Sequence, residues 1–403
     1  MWTLALRNVF RHRLRTSLTL AAIIIGVAGL ILSGGFVRDI FIQLGEGAIH
    51  SQFGHVQISL KGFYDYGRRD PQEYLIADPK AIVDKIMGIP EVADVMQRID
   101  FSGLLNNGQT DLPIIGEGVE ANKEAKLGSA MTIIDGRQLS DADRYGILLG
   151  EGVASSLNLH PGDYATLVAS TPDGALNTLD LNVIGVMRTM SRDYDAHAVR
   201  IGLAAAQELM LTNKVHQLVL HLNKTSATDK IVAILKRMAG MEQYEVKSWY
   251  ELADFYRKTV ALYQRQFGLL VLIVLIMVLL GVANSVNMTI FERVGECGTI
   301  MALGFRRSVL FKLLVIENTA LGLMGGGLGV ILGLLLAWVI SRVGIPMPPP
   351  PNMNSGYTAM IRPNAMLLEL AFAVGVLATV LASLLPARRV VRMSLVEALR
   401  QNT

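Results

Sequence analysis

The stretch "FGLLVLIVLIMVLLGVANSVNMTI", Phe267 to Ile290, contains no charged residue. At about 1.5 Å per residue it covers the roughly 30 Å hydrocarbon core of a bilayer as one helix. Three further blocks share this character. Leu18–Phe36 has no charge, and Leu313–Ile340 and Ala365–Pro386 carry one acid each, Glu317 and Glu369. Hydrophobic residues make up 51% of the 403 residues, and these four blocks concentrate them. The pattern predicts an α-helical membrane protein with four transmembrane helices, at 18–37, 267–290, 313–340 and 365–386.

The first block resembles the apolar core of a signal peptide, because basic residues precede it. It is longer than such cores, and no small-residue cleavage site follows. Arginines fix the expected orientation. Arg7, Arg11, Arg13 and Arg15 precede the first span, Arg293, Arg306, Arg307 and Lys312 lie between the second and third, and Arg388, Arg389, Arg392 and Arg400 follow the fourth. In a four-span topology all three segments share a side, which the positive-inside rule makes cytoplasmic. The expectation is therefore a multi-pass protein of the inner (plasma) membrane with both termini in the cytoplasm. The net charge of +3 is a topology signal and implies no nucleic-acid partner. Residues 1–17, with Trp2, Leu6, Val9, Phe10 and Leu14 between arginines, read as an amphipathic helix at the membrane interface.

Residues 38–266 then form an extracytoplasmic (periplasmic) domain. The single cysteine, Cys297, lies on the other side, so this domain depends on its own core and has no disulfide. Polar helical segments, Arg38–Phe53 and Trp249–Gln266, continue the first and second spans outward as a stalk. Between them "HVQISL" (55–60) and "QLVLHL" (217–222) read as strands, and "DPKAIVDKIMGI" and "SATDKIVAILKRMAG" as amphipathic helices. Asp78 before Pro79 is an expected N-cap. The turn-rich stretch of about 121–213 reads as an inserted β-rich subdomain. The fold class is thus a four-helix membrane domain with an α+β outer domain of two subdomains. A cytoplasmic loop (291–312), an outer loop with the stiff run Pro348–Pro351 (341–364) and a cytoplasmic tail (387–403) complete the organisation.

The segment "ERVGECGTIMALGFRRSVLFKLLVIENTALGLMGGGLGVILG" resembles the FtsX-type permease domain. Glu292-Arg293, Glu296-Cys297-Gly298, Ala302-Leu303-Gly304, Arg306 and Glu317 stand in the family's order and spacing, with Cys297 at a position usually held by isoleucine. "LALRNVFRHRLRTSLTLAAIIIGVA" resembles the family's first span, "LLPARRVVRMSLVEALR" its C-terminal end, and "ILLGEGVASSLNLHPGDYATL" the MacB-like outer domain. "GHVQISLKGFYDYG" resembles the LolC/LolE lipoprotein-releasing permeases more than the macrolide-efflux group. The chain is identified on these motifs as a type VII ABC transporter permease.

The resemblance implies two permease protomers, alike or related, and two copies of a separate ATPase on the cytoplasmic face. The chain itself would bind no cofactor, with ATP and Mg held by the ATPase. ATP-driven closure would reach the outer domain by mechanotransmission and release or export lipoproteins or another lipophilic cargo, with membrane lipids and a periplasmic chaperone or adaptor as further partners. An FtsX-like regulator of a cell-wall hydrolase, transporting nothing, is the alternative. No Gly-x-x-x-x-Gly-Lys-Ser/Thr loop occurs in the sequence, so the "LSGG" at Leu32–Gly35 reads as a chance match to an ATPase phrase rather than a nucleotide contact. No nucleophile–base pair can be argued, so neither an enzymatic site nor a catalytic residue is expected.

Two sets of residues carry the expected function. Glu292, Arg293, Glu296, Cys297, Gly298, Ile300, Met301, Ala302, Leu303, Gly304 and Arg306 would form a short coupling helix seated in a groove of the ATPase. Gly322, Gly325, Gly326, Gly329 and Gly333 recur at four-residue steps and offer a small-residue face, within the protomer or across a dimer. Glu317 and Glu369, near the edges of their blocks, read as snorkelling acids. Ser394-Leu-Val-Glu397 fits a capping box. The histidines form no metal-like set, since His216 and His221 point to opposite faces of a strand.

Overall fold

The computed structural model describes residues 13–67, 71–127, 131–189, 191–292, 306–348 and 356–392. The described chain divides into two units, one holding the four long helices and one built around a sheet.

The helical unit rests on α1 (Arg13–Ala48), α7 (Asp254–Glu292), α8 (Arg307–Val343) and α9 (Ala365–Arg392). Each is long and apolar enough to cross a membrane. Each also outruns its apolar block. α1 continues past Phe36 to Ala48, and α7 begins at Asp254, well before Phe267. In α9 the helix runs through Pro386, where one backbone hydrogen bond is lost without ending it. The packed centre is aliphatic: Ile23, Val27, Leu30 and Ile31 of α1, Val278 and Val282 of α7, Leu310 and Leu314 of α8, and Ala371, Val374 and Ala378 of α9.

Among the described residues the second unit is built on a sheet of ten strands: β1 (Val56–Leu60), β2 (Val92–Asn106), β3 (Asp111–Val119), β4 (Thr132–Gly136), β5 (Gly146–Gly150), β6 (Tyr164–Ser170), β7 (Leu176–Arg188), β8 (Ala198–Gly202), β9 (Gln217–Leu222) and β10 (Tyr244–Ser248). Their order is β10-β1-β9-β2-β3-β8-β5-β7-β4, with β6 pairing both β2 and β7. Two lobes follow from this order. In the first, β10, β1, β9 and the N-terminal half of β2 form an antiparallel layer. The helices α2 (Pro79–Met87) and α6 (Thr228–Arg237) cover one face of it through Ile82, Ile86, Ile231 and Leu235. Asp78 caps α2, its Oδ1 accepting from Ala81 N at 3.3 Å.

In the second lobe the pairings β2-β3-β8-β5-β7-β6 return to β2, closing six strands into a barrel. Closure leaves these strands no free edge within the lobe. Its interior is filled by Leu105, Leu167, Leu181, Ile147, Leu149 and Val199, with α4 (Glu151–Leu157) and α5 (Leu203–Leu209) adding Val153, Leu157, Ala205 and Leu209. Residues 121–213 supply four of the six barrel strands. β2 and β3 supply the others, and the fifteen-residue β2 is shared by both lobes.

Candidate functional site

Within the helical unit, the glycine ladder of α8 is a site of close approach among the chain's own helices. A Cβ placed on Gly325 would meet Ile23 at 2.9 Å, one on Gly329 would meet Val27 at 2.7 Å, and one on Gly333 would meet Ile31 at 2.9 Å. Steps of four on α8 thus receive steps of four on α1, the ridge-to-groove match that allows close packing. The second face works likewise. Gly322 lies under Thr379, and Gly326 lies under the Phe372 ring. The glycines fill both sides of one helix with backbone contact, which any side chain would prevent.

The same contacts give helix directions. Residue numbers rise together along α1 and α8, so these helices run parallel. They run oppositely along α8 and α9 (322 with 379, 326 with 372), and along α1 and α9 (Gly375 with Val27, Gly34 with Leu367). α1 and α7 are also antiparallel, through Gly26 against Val278, Gly34 against Phe267 and the 2.6 Å Thr19–Ser285 hydroxyl pair. Four successive helices therefore alternate in direction, as four successive membrane crossings require.

The glycines of Leu32–Gly35 belong to this packing. Gly34 lies against Leu367 and Phe267, Gly35 against Ile361 and the Arg362 backbone, and Ser33 Oγ donates to Gly29 O at 2.6 Å. Next to them Asp39 is fully buried. It lies 2.8 Å from Arg362 Nε and accepts from Met360 N at 2.9 Å. The two acids of the apolar blocks differ. Glu317 is 8% exposed and so is no snorkelling side chain, because the helix face it occupies turns inward beside Asn318. Glu369 is exposed.

Of the expected coupling residues, Glu292 is the last residue of α7, and Arg306 is the exposed N-cap of α8. Arg293, Glu296, Cys297, Gly298, Ile300, Met301, Ala302, Leu303 and Gly304 lie outside the described residues. So do residues 1–12, with the interfacial helix expected there, and Ser394–Glu397. The start of α8 carries Arg306 and Arg307 with no acid in its first turn. Cations at a helix N-terminus oppose the helix dipole, so this end favours an acidic neighbour.

The sheet unit holds a charge network that strand patterns alone do not reveal. α1 ends in a π-helical turn, Ile49–Phe53. Arg98 of β2 donates from Nη1 to Gln52 O, and Arg200 of β8 donates from Nη2 to Ser51 O at 3.0 Å. Both arginines are buried, at 3% and 2% exposure. Arg98 forms a two-pronged pair with Glu124 in α3 (Ala121–Leu127), at 2.6 and 2.9 Å. Arg200 Nε donates to Glu117 of β3 at 2.9 Å, and Tyr194 Oη donates to the other oxygen of Glu117 at 2.8 Å. Burial opposes the charge on Arg98, yet Glu124 and Glu117 hold its pKa above the ordinary value. Burial likewise opposes the charge on Arg200, which Tyr194, Glu117 and Glu124 outweigh. Glu117 is pushed up by burial and pulled further down by Arg200, Arg98 and Tyr194. Arg98, Arg200 and Glu117 are thereby held in their charged forms.

Beside it, His50, His55 and His221 lie with ring centroids 5.5–5.8 Å apart. His55 Nδ1 accepts from Leu222 N at 3.2 Å, its Nε2 lies 3.3 Å from Thr225 Oγ1, and the ring stacks on His221. Burial first, then His221 and His50, lowers the His55 pKa to about 4. His216 faces elsewhere, stacking on Phe63 and accepting from Asp100 N at 3.1 Å.

Comparison with known proteins agrees with both units. The MacB-like periplasmic core domain family matches residues 16–238, more than half of the chain, and the FtsX-like permease C-terminal family matches residues 268–395. An uncharacterized ABC transporter permease of Methanocaldococcus jannaschii is 24% identical over 85% of this chain and 84% of its own length. The macrolide export ATP-binding/permease protein MacB of a Shewanella species is 25% identical over 98% of this chain. The chain spans 60% of the length of that relative. The lipoprotein-releasing system transmembrane protein LolC of Neisseria meningitidis is 22% identical over 81% of this chain and 78% of its own. Four alternating apolar helices, a sheet unit between the first two and these two family matches lead to one conclusion: the chain belongs to the type VII ABC transporter permeases, with a MacB-like periplasmic core domain and an FtsX-like C-terminal domain.

Proposed function

We propose that the chain is the permease subunit through which a separate ATPase, holding ATP and Mg, drives movement of the sheet unit outside the membrane. The observation that carries this reading is the continuity of α1 and α7. Each runs without a break from its apolar block into the polar residues beyond, so displacement of one end of a stiff rod is transmitted to the other. The loop between α7 and α8, from Glu292 to Arg306, is the coupling element. Its motif residues and the cationic start of α8 suit an acidic-rimmed groove on the ATPase. Two protomers and two ATPases assemble in the inner membrane, with both chain termini in the cytoplasm. The cargo is a lipoprotein or another lipophilic molecule, a reading supported by the LolC relative and by the segment Gly54–Gly67.

The test is Leu303→Pro in the full chain, reconstituted with its ATPase in vesicles. Proline within a helix costs about 3 kcal/mol, enough to break a short coupling helix. Insertion is expected to be normal, because the four spans are held by their own packing, while ATPase binding or permease-dependent stimulation falls and cargo release stops. Wild-type levels of ATPase binding, stimulation and release in an inserted Leu303→Pro protein would refute the coupling role.

A further inference from the structure

The end of α1 meets the two lobes of the sheet unit in different ways. Toward the first lobe the connection is covalent, since the chain leaves the π-helical turn and enters β1 at Val56, with His55 bonded across to Leu222 of β9. Toward the barrel it is polar. Arg200 reaches from β8 to Ser51 O, while Glu117 of β3 and Tyr194 lock its other edge. The last carbonyls of a helix have no partner within it, so Ser51 and Gln52 present free acceptors where a guanidinium with its five fixed N–H groups can bridge two elements. Arg98, in the strand shared by both lobes, takes the next carbonyl.

This arrangement is costly for a passive scaffold. Desolvating two arginines and two carboxylates offsets most of their mutual attraction, and well-packed apolar side chains would stabilise the fold as well. The polar arrangement does one thing that apolar packing would not: it fixes the orientation of a helix end against a sheet by directional bonds.

We propose that Arg200, assisted by Arg98, is the positioning residue that couples α1 to the barrel, so that motion of the helix moves both lobes together rather than only the lobe to which it is covalently joined. This rests on the transport reading above for its purpose, but not for its existence.

The experiment uses the full chain in nanodiscs, with nitroxides on p-acetylphenylalanine at position 42 in α1, position 173 in the exposed β6–β7 turn and position 236 in α6. Dipolar spectroscopy reads the 42–173 and 42–236 distance distributions. In the wild-type chain both are expected to be single and narrow. In Arg200→Gln the 42–173 distribution is expected to lose its single narrow peak while 42–236 keeps its own, and Arg200→Lys, which can serve Glu117 or Ser51 O but not both, falls between. A 42–173 peak that stays narrow in Arg200→Gln overturns the proposal. Equal broadening of both pairs also overturns it, because that would mark general loosening. If Arg200→Gln does not fold, Arg200→Met with Glu117→Met removes both charges at similar volume and carries the same measurement with the same readings.

A second readout separates this inference from the transport reading. With the ATPase present, Arg200→Gln is expected to keep ATP turnover and lose cargo release. Release by neither wild type nor variant would count against transport alone, since the distance distributions decide the joint without it. Wild-type release by an Arg200→Gln protein would overturn the joint.

Discussion

The glycine ladder of α8 makes a quantitative prediction in which the sign of a small substitution depends on a neighbour. Gly329→Ala and Gly327→Ala change the same helix by the same methyl group two residues apart. Both gain up to about 1 kcal/mol of helix propensity, and both restrict the unfolded chain equally. Their surroundings differ. A Cβ at position 327 has nothing within 4 Å, whereas one at 329 would lie 2.7 Å from Val27 Cβ, 3.0 Å from its Cγ1 and 3.2 Å from Ile24 O. Two of these three atoms cannot swing away: a Cβ is fixed to its backbone, and a carbonyl oxygen is backbone itself. The third belongs to a β-branched side chain, which is stiff at χ1. α1 and α8 must therefore separate by several tenths of an ångström, an overpacking cost of about 1–3 kcal/mol. Because the propensity gain cancels between the two variants, Gly329→Ala should be less stable than Gly327→Ala by that amount. Reversible unfolding of the purified chain in mixed micelles, compared pairwise, measures the difference. Gly326→Ala, facing the edge of the Phe372 ring at 3.0 Å, should fall between them, because a ring can rotate. Equal stability of the 327 and 329 variants would refute the reading of the ladder as a seat for α1.

Three further outcomes are expected. Asp39→Ala leaves Met360 N without its acceptor and Arg362 without its pair. Arg362 is 45% exposed and can turn to water, so the loss should be near that of a buried hydrogen-bond partner, about 1–3 kcal/mol, read by the same unfolding assay. Asp78→Ala removes the N-cap of α2 and should cost about 1 kcal/mol, while Asp78→Ser should restore most of it. Stability of the sheet unit should fall with acidification. The folded His55 titrates near pH 4, below the ordinary histidine value of about 6.5, so between these values the unfolded chain binds a proton that the folded chain refuses. The contribution is absent above pH 6.5 and grows as pH drops toward 4, to at most about 3 kcal/mol, less where water screens the ring. His55→Gln should flatten this slope in hydrogen-exchange protection measured across pH 4–7.

The spans were legible because a bilayer imposes a long uninterrupted apolar run, and only a helix satisfies its own backbone there. The cap at Asp78 and the helix after it were legible because capping is local chemistry. The closure of the barrel was not. It depends on β2 pairing with β6 and on β3 lying parallel to β8, contacts between segments far apart in the chain and with no local signature. The buried arginines escaped for a different reason. In "MQRID" and "AVRIG" an arginine in a strand reads equally well as a solvated face, and only the pairing of Glu117 and Glu124 with these residues shows that they point inward. "AVRIG" carried one usable sign, since a strand buried on both faces, as β8 is, should hold no unpaired charge. The ladder was legible as a small-residue face, but its partner was not, because glycine spacing says nothing about which helix approaches.

The contacts of α1 within the helical unit differ from those of α7. Of the apolar stretch of α1, 44% is buried, against 17% for α7. Ile23, Val27 and Ile31 sit against Gly325, Gly329 and Gly333 of α8, so close that a Cβ on these glycines would lie 2.7–2.9 Å from them. In the turn that follows α1 the carbonyls of Ser51 and Gln52 are held by guanidiniums that are themselves held by carboxylates. α7 is held differently: a Cβ placed on Gly268 or Gly281 would meet nothing within 4 Å among the described residues, and much of its surface, from Leu269 to Met288, faces outward. Within the helical unit α1 is therefore the span seated among its neighbours, and α7 is the span whose outward side the described residues leave uncovered.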